Sequence, residues 1–177
     1  KEPMQPQEPT QPQNPASPQN PASPQDPTNP QDPTSPQKPA AKPVGTILKT
    51  SKASYRVTKA GKTPEVAYVK PKSKKVKTVT IPATVKKGGV TYKVTSVADN
   101  AMKNYKNLTK VTVGTNVKKI GKNAFYGCKK LGKIVIKSKK LKGVGKNAFK
   151  GIKKNATIDV PNSKKKTYKK LFTGKTG

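Results

Sequence analysis

Lysine is the residue type whose number and placement most clearly suggest a chemical role. The chain of 177 residues has 39 lysines and arginines against 7 aspartates and glutamates, which gives a formal net charge of +32. Residues 1–43 carry −1, so residues 44–177 carry +33. Such a charge attracts polyanions. Because Arg56 is the one arginine, we expect binding mainly through lysine point charges, which have low selectivity.

Eight lysines recur at matching positions of the internal repeat described below, and they are the predicted polyanion-binding residues: Lys106, Lys118, Lys119, Lys122, Lys129, Lys142, Lys146 and Lys153. At a strand spacing of about 4.8 Å, two neighbouring ammonium groups repel by roughly 1 kcal/mol in water, and salt weakens this further. Columns of lysine are therefore tolerable. An anionic glycan, another anionic polymer, an acidic protein surface and nucleic acid are the candidate ligands.

Two observations limit this interpretation. The aromatic residues, of which Tyr126 is the one expected to face outward, form no column on which bases or sugars would stack, and this makes nucleic acid an unlikely partner. The alternative role for the lysines is to keep the surface soluble and to prevent association between sheet edges.

Catalytic chemistry has little to build on in this sequence. Histidine is absent, so neither a Ser-His triad nor a Cys-His dyad is possible. The acids of residues 44–177, Glu65, Asp99 and Asp159, lie at unrelated repeat positions, and no phosphate-binding glycine motif is present. The single cysteine, Cys128, excludes an internal disulfide and a multi-cysteine zinc site. We expect no catalytic residue, no metal and no cofactor, and hence no enzyme.

The elements that must position the lysines are set by a repeat over residues 94–160. Val94-x-x-Val97 corresponds to residues 117–120 and 141–144, at spacings of 23 and then 24 residues. Leu108-x-x-Val111-x-Val113 has equivalents at 131–136 and 155–160. A period of roughly 20 to 29 residues is typical of leucine-rich solenoids, whose units bury their apolar faces against one another. The predicted core comprises Met102, Val111, Val113, Phe125, Cys128, Ile134, Ile136, Phe149, Ile158 and Val160.

Each unit also contains Asn-Ala-Met or Asn-Ala-Phe, which we interpret as a short helical turn that directs Met102, Phe125 or Phe149 inward. The turn is predicted to end at Asn104, Gly127 and Gly151, because asparagine and glycine tolerate a positive φ.

Both ends of the repeat predict covering elements. Two hairpins are expected on the amino-terminal side, one turning near Gly61 and one at Gly88-Gly89, with a strand at 76–81 between them whose Val79 and Ile81 align with Val111 and Val113. On the other side, Asn162-Ser163 is expected to cap a helix over 164–172 that buries Tyr168, Leu171 and Phe172.

Residues 1–43 have a different character. Proline occurs at every third position from Pro3 to Pro39, which matches the three residues per turn of polyproline II. We predict a semi-rigid, extended or disordered linker over 1–43; a ligand for a proline-recognition domain is the alternative. The abrupt low-complexity start, without a secretory leader, predicts a piece of a longer protein, and no apolar run is long enough for a membrane helix.

Residues 120–131, Ile-Gly-Lys-Asn-Ala-Phe-Tyr-Gly-Cys-Lys-Lys-Leu, resemble the BspA-type leucine-rich repeats of bacterial surface proteins. The resemblance implies a secreted or cell-surface module that adheres to host proteins or surfaces, and it supplies no catalytic residue. The predicted fold is mainly β with short helical turns: a short leucine-rich-repeat solenoid, coiled right-handed with parallel strands, over 44–177. Its N-terminal β cap and first strand occupy 44–93, the repeats 94–160 and the C-terminal helix cap 161–177.

The predicted function is therefore non-catalytic attachment to a host protein or to an anionic cell-wall polymer, such as teichoic acid or another glycan, by a monomeric module within a larger polypeptide. A structural capping or spacer domain of a larger secreted enzyme is the alternative.

Overall fold

The computed structural model describes residues 38–174, so most of the predicted linker over 1–43 lies outside the described residues. The described chain is mainly β-strand with one short α-helix, α1 (Lys165–Phe172), which follows a 3-10 turn at Asn162–Lys164. The strands, in chain order, are β1 (Ile47–Lys49), β2 (Ala53–Lys59), β3 (Glu65–Pro71), β4 (Thr78–Ile81), β5 (Thr84–Lys87), β6 (Val90–Val97), β7 (Lys110–Val113), β8 (Lys119–Ile120), β9 (Lys133–Ile136), β10 (Gly143–Val144) and β11 (Thr157–Asp159).

The first sheet has the strand order β1-β2-β3-β6-β8-β10, with β5 paired to β6. Strands β2 and β3 form the antiparallel hairpin predicted around Gly61. Strands β5 and β6 form the second predicted hairpin, and its turn residues Gly88 and Gly89 have φ of 56° and 75°. Two consecutive positive φ angles suit the right-handed twist of a two-residue hairpin, and glycine adopts them without steric cost. Both hairpin predictions are confirmed.

The second sheet is parallel throughout and has the order β11-β9-β7-β4. Its register places Val79 beside Val111 and Ile81 beside Val113, which confirms the predicted alignment of the strand near residue 80 with the repeats. The next pairings, Lys110 with Lys133 and Lys133 with Thr157, follow the 23- and 24-residue spacings of the sequence. Each repeat unit therefore contributes one strand to each sheet.

The segment that joins the two sheets within a unit contains the predicted short turn, but the turn is not part of a helix. Asn100, Asn123 and Asn147 have φ of 57°, 53° and 57°, and a residue in this left-handed region cannot continue a right-handed helix. The N–H groups of Asn123, Phe125 and Gly127 donate to carbonyl oxygens of the next unit, at 3.1, 2.8 and 2.9 Å. Residues 100, 102 and 104 do the same towards residues 122, 124 and 126. We call this set of bonds the turn ladder. It uses alternate N–H groups of each turn, while the N–H groups of Lys103, Tyr126 and Lys150 donate to the carbonyl oxygen three residues earlier, at 3.2, 3.1 and 3.2 Å.

The predicted ends of these turns agree with the structure. Asn104, Gly127 and Gly151 have φ of 61°, 71° and 73°. Asparagine and glycine occupy this region at low cost because one has a short polar side chain and the other has none.

The core lies between the two sheets and the turn ladder. Met102, Phe125 and Phe149 are fully buried there, and the rings of Phe125 and Phe149 stack with centroids 5.0 Å apart. Val111, Val113, Cys128, Ile134 and Ile136 are also buried. The prediction was too strong for Ile158 and Val160, which are half-buried. Ile158 lies in β11, the edge strand of the second sheet, and Val160 directly follows that strand, so no further unit covers them.

The C-terminal helix begins differently from the prediction. Asn162 and Ser163 belong to the 3-10 turn, and neither side chain caps α1, whose N-terminal flanking residue Lys164 makes no side-chain cap bond. The buried face is close to the prediction: Tyr168 and Phe172 are buried and Leu171 is half-buried. The Tyr168 hydroxyl donates to the Ser138 carbonyl at 2.9 Å and accepts from the Leu141 N–H at 3.0 Å. The helix is therefore tied to the last unit by a polar contact as well as by packing.

Candidate polyanion-binding surface

All eight predicted lysines have exposed side chains, as expected for a binding surface. Two pairs lie on neighbouring units: the Lys142 N–H donates to the Lys118 carbonyl at 2.7 Å, and the Lys146 carbonyl accepts from the residue after Lys122 at 3.1 Å. An exposed lysine lies two residues after each turn-ending residue with positive φ; these lysines are Lys106, Lys129 and Lys153. Lys119 differs, because its partners in register are Ser96 and Gly143 and not lysines.

Lys118 is the member of the set that is not a free cation. Its Nζ lies 3.0 Å from Glu65 Oε1, and Thr95 Oγ1 donates to the other oxygen of Glu65 at 2.9 Å. Burial alone would raise the pKa of Glu65, but the hydrogen bonds from Lys118 and Thr95 outweigh it and the pKa is lowered. Glu65 therefore stays ionised and neutralises part of the charge of the Lys118 and Lys142 pair.

Sequence reasoning missed this ion pair because Glu65 precedes Lys118 by 53 residues. Only the parallel pairing of β3 with β6, and of β6 with β8, brings the two side chains together. No pattern within the repeat contains that information.

A second group of lysines was also missed. Lys110 and Lys133 begin β7 and β9 and are direct neighbours in register. Lys133 lies 3.7 Å from Asp159, and both side chains are exposed, so the contact is a weak surface pair. The signal was available in the sequence, since both lysines directly precede the Val/Ile positions of the strands at the 23-residue spacing.

The aromatic residue expected to face outward, Tyr126, is half-buried, and Lys103 Nζ lies 5.7 Å from the centre of its ring. At this distance the ammonium group is attracted to the face of the ring. Tyr126 therefore already has a cation on its ring, and it offers little free surface for a sugar or a base.

Cys128 is buried, and its Sγ donates to the Met102 carbonyl at 2.9 Å. Burial raises the pKa of the thiol to about 11, so the thiolate is scarce at neutral pH.

Between residues 38 and 174 no three His, Cys, Asp or Glu side chains come together as metal ligands would. The same part of the chain has no helix of the length and apolar character that crossing a membrane requires.

Comparison with known proteins places the repeats in a family. The model of the BspA type leucine rich repeat region matches residues 95–177, in six copies. No curated protein matches the sequence significantly.

Solved structures with a similar fold come from bacteria. A leucine rich cell surface protein from Faecalibacterium prausnitzii A2-165 has 26% identity and a TM-score of 0.55, with 68% of this chain and 32% of that protein covered. A leucine-rich repeat protein from Bacteroides capillosus ATCC 29799 has 18% identity and a TM-score of 0.52, with 66% and 99% covered. The pneumococcal vaccine antigen PcpA has 22% identity and a TM-score of 0.50, with 69% and 40% covered.

At these identities the Bacteroides protein and PcpA share the fold alone with this chain. The aligned part corresponds to about a third of the length of the Faecalibacterium protein. The family match covers slightly less than half of the chain, and together with the strand registers and the turn ladder it identifies residues 95–177 as a region of BspA-type leucine-rich repeats.

Proposed function

We propose that this chain is a non-catalytic binding module of a bacterial surface protein, and that its exposed lysines attach it to an anionic polymer of the cell wall or to an acidic host component. In this proposal the repeats form a short right-handed solenoid, closed by the β2–β3 and β5–β6 hairpins on one side and by α1 on the other. Residues 1–43 act as an extended linker to the rest of a longer extracellular protein.

The observation that carries the proposal is the imbalance of surface charge. Across residues 38–174 only two lysines, Lys118 and Lys133, are within ion-pair distance of a carboxylate. The remaining lysines are available to an external anion. Their electrostatic fields add over the whole surface, and dissolved salt weakens the combined field. A domain that needed charge only for solubility would not need this excess, since a net charge of roughly 2 to 8 suffices for a small domain.

The test uses the full chain and four immobilised materials: purified bacterial walls, walls stripped of teichoic acid, heparin and host matrix proteins. Each is loaded at low ionic strength and eluted with a salt gradient. Retention by intact walls alone, lost steeply as salt rises, supports attachment to wall polymer. Salt-resistant capture by one matrix protein supports attachment to the host.

A variant pair separates the proposed surface from general basicity. The first variant replaces four predicted binding lysines by glutamine: Lys106, Lys122, Lys129 and Lys146. The matched control removes the same charge from exposed lysines elsewhere: Lys49, Lys62, Lys86 and Lys87. The proposal requires the first variant to elute at clearly lower salt than the control. Equal elution of both would mean that total charge alone governs retention, and absence of retention for the unsubstituted chain would leave a structural spacer of a larger secreted protein as the better interpretation.

A further inference from the structure

The single arginine of the chain lies in a cleft on the outer face of the first sheet. Arg56 is flanked by the buried side chains of Tyr55 and Val57, so its own side chain projects outward. Across the sheet Arg56 pairs with Ala67, Ala67 with Ser96, and Ser96 with Lys119. Two cations therefore stand at the ends of one row, three strand spacings or about 14 Å apart at the backbone.

Small residues make the space between these cations concave. The cleft has a volume of about 490 Å³, and Ala67, Ser96, Ala98 and Gly121 are among the residues that line it. Gly121 is required by close packing, because a Cβ atom at this position would lie 2.6 Å from the backbone carbon of Ala98. The floor of the cleft therefore consists of short side chains, which leave space between the longer side chains of its walls.

The walls combine both signs of charge. Arg56, Lys119 and Asp99 all line the cleft, together with the hydroxyl of Thr58. Neither Arg56 nor Lys119 is within ion-pair distance of a carboxylate in the described part of the chain. Asp99 Oδ1 accepts from the Lys122 N–H at 2.7 Å, which holds the carboxylate in place; among residues 38–174 the other oxygen has no hydrogen-bond donor.

We propose that this cleft binds one acidic sugar unit of an anionic glycan, with the anionic group held by Arg56, the charge of Lys119 adding attraction from the other end of the row, and the sugar hydroxyls donating to Asp99 and Ser96. The guanidinium of Arg56 presents a planar fork that matches a carboxylate or a sulfate in two parallel hydrogen bonds, which a lysine cannot do. Asp99 and the hydroxyls accept hydrogen bonds from a sugar, while the carboxylate of Asp99 repels a ligand that is anionic along its whole length.

The same residues disfavour the other polyanions. Proteins that bind single-stranded nucleic acid stack its bases on aromatic side chains, and no aromatic residue lines the cleft. A run of aspartate or glutamate, or a polyphosphate, would place a second charge against Asp99. The inference rests on the proposed attachment to anionic polymers and narrows it: the lysines supply attraction without selectivity, and the cleft selects the sugar.

Short probes test the cleft separately from the lysine surface, because an oligomer of a few units cannot span many lysines. The full chain is titrated calorimetrically with a trisaccharide that contains one glucuronate unit, maltotriose that carries a single sulfate, neutral maltotriose, hexaglutamate and tripolyphosphate. The two acidic sugars distinguish a carboxylate from a sulfate as the preferred anion. We expect one or both to bind, and the neutral sugar, the peptide and the phosphate to bind at least tenfold more weakly.

Three variants localise the binding. Arg56→Lys keeps the charge and removes the fork, and we expect about tenfold weaker binding of the acidic sugar. Asp99→Asn is expected to weaken binding of the acidic sugar but to strengthen that of hexaglutamate, because the repulsion is removed. Lys86→Gln removes an exposed charge outside the cleft and is expected to change affinity by less than twofold. Since Arg56 and Asp99 are exposed, thermal unfolding is expected to be unchanged, which serves as the folding control.

Equal affinity of Arg56→Lys and the unsubstituted chain for the acidic sugar would overturn the proposal, as would hexaglutamate or tripolyphosphate binding as tightly as the sugar. Retention of long wall polymers without binding of any short sugar would also overturn it while leaving the proposed function intact. Loss of retention for every polymer together with selective binding of the short sugar would overturn the proposed function and support the cleft.

Discussion

Replacing Phe149 by alanine tests how the last repeat unit is held to its neighbours. Phe149 is fully buried, stacks on Phe125 with centroids 5.0 Å and planes 10° apart, and contacts Phe172 of α1 with centroids 5.5 Å apart. Its ring is therefore the link between the preceding unit and the C-terminal helix. Removing the ring leaves a cavity. The surrounding backbone is held by hydrogen bonds on several sides, so it cannot move inward to fill that cavity.

The expected loss is at the upper end of the range for such a change. Truncating a buried phenylalanine to alanine lowers the free energy of unfolding by about 3–5 kcal/mol. Aromatic pairs add roughly 0.5–1.5 kcal/mol each beyond burial. Because Phe149 has two such contacts, we expect a loss near about 5 kcal/mol. Domains of this size are stable by only about 5–15 kcal/mol. We therefore expect Phe149→Ala to lower the midpoint of thermal unfolding by roughly 10–20 °C.

The measurements are thermal unfolding and urea unfolding of the full chain, each followed by far-ultraviolet circular dichroism. Tyr126→Ala is the matched control, because Tyr126 is an aromatic residue that follows Phe125 directly but is only half-buried; we expect it to cost under about 1 kcal/mol. A loss of less than about 2 kcal/mol for Phe149→Ala, or one no larger than that of the control, would refute the stacked core described here.

Three further perturbations test individual contacts. Tyr168→Phe removes the hydroxyl that joins the Ser138 carbonyl and the Leu141 N–H, and we expect a loss of about 1–3 kcal/mol in denaturant unfolding; a loss below 0.5 kcal/mol would argue against that bridge. Asn123→Ala is expected to cost about 1–2 kcal/mol because φ is 53°, whereas Asn123→Gly should be nearly neutral, and equal losses would contradict the assigned backbone. Because the folded-state pKa of Glu65 is lowered, its ion pair stabilises the fold above the unfolded-state pKa near 4.3, and this contribution is lost as pH falls through the folded-state value. Unfolding titrations from pH 7 to 3 should show it as a difference of under about 1 kcal/mol that is absent in Glu65→Gln.

Much of the fold was accessible from spacing alone. In a repeat, residues at equal positions become neighbours, so the 23- and 24-residue intervals predicted the strand registers, and Val79 and Ile81 were assigned to the correct partners. Glycine and asparagine at the turn ends predicted positive φ, since few other residues tolerate it.

The short turns were predicted, but their left-handed asparagines and their bonds to the next unit were not, for a physical reason. Asn-Ala-Phe is compatible with the first turn of a helix, because asparagine is a good helix cap. It is equally compatible with a left-handed residue, and the choice was made by N–H groups that find acceptors in the next unit. Local propensity does not contain that long-range competition.

The candidate site was only partly predictable. The repeat register located exposed lysines correctly in the chain, since a polar residue between buried positions must face outward. It gave no access to the contact of Lys118 with Glu65 or to the cleft around Arg56, because β2 and β3 lie outside the repeat and their neighbours depend on sheet order.

The strand registers also reveal where this architecture accepts added length. Each unit has a segment that leads from its strand in the second sheet to its strand in the first. This segment runs from Val113 to Ile120 in one unit and from Ile136 to Val144 in the next, where it is one residue longer. In the first unit the same path, from Ile81 to Val97, is longer by the whole β5–β6 excursion. All variation in unit length therefore falls at one corner, whereas the path from first sheet to second is constrained by the turn ladder. A foreign peptide grafted between the exposed residues Lys139 and Lys140 would be displayed without disturbing the stack, and the same peptide placed between residues 121 and 128 would disrupt it.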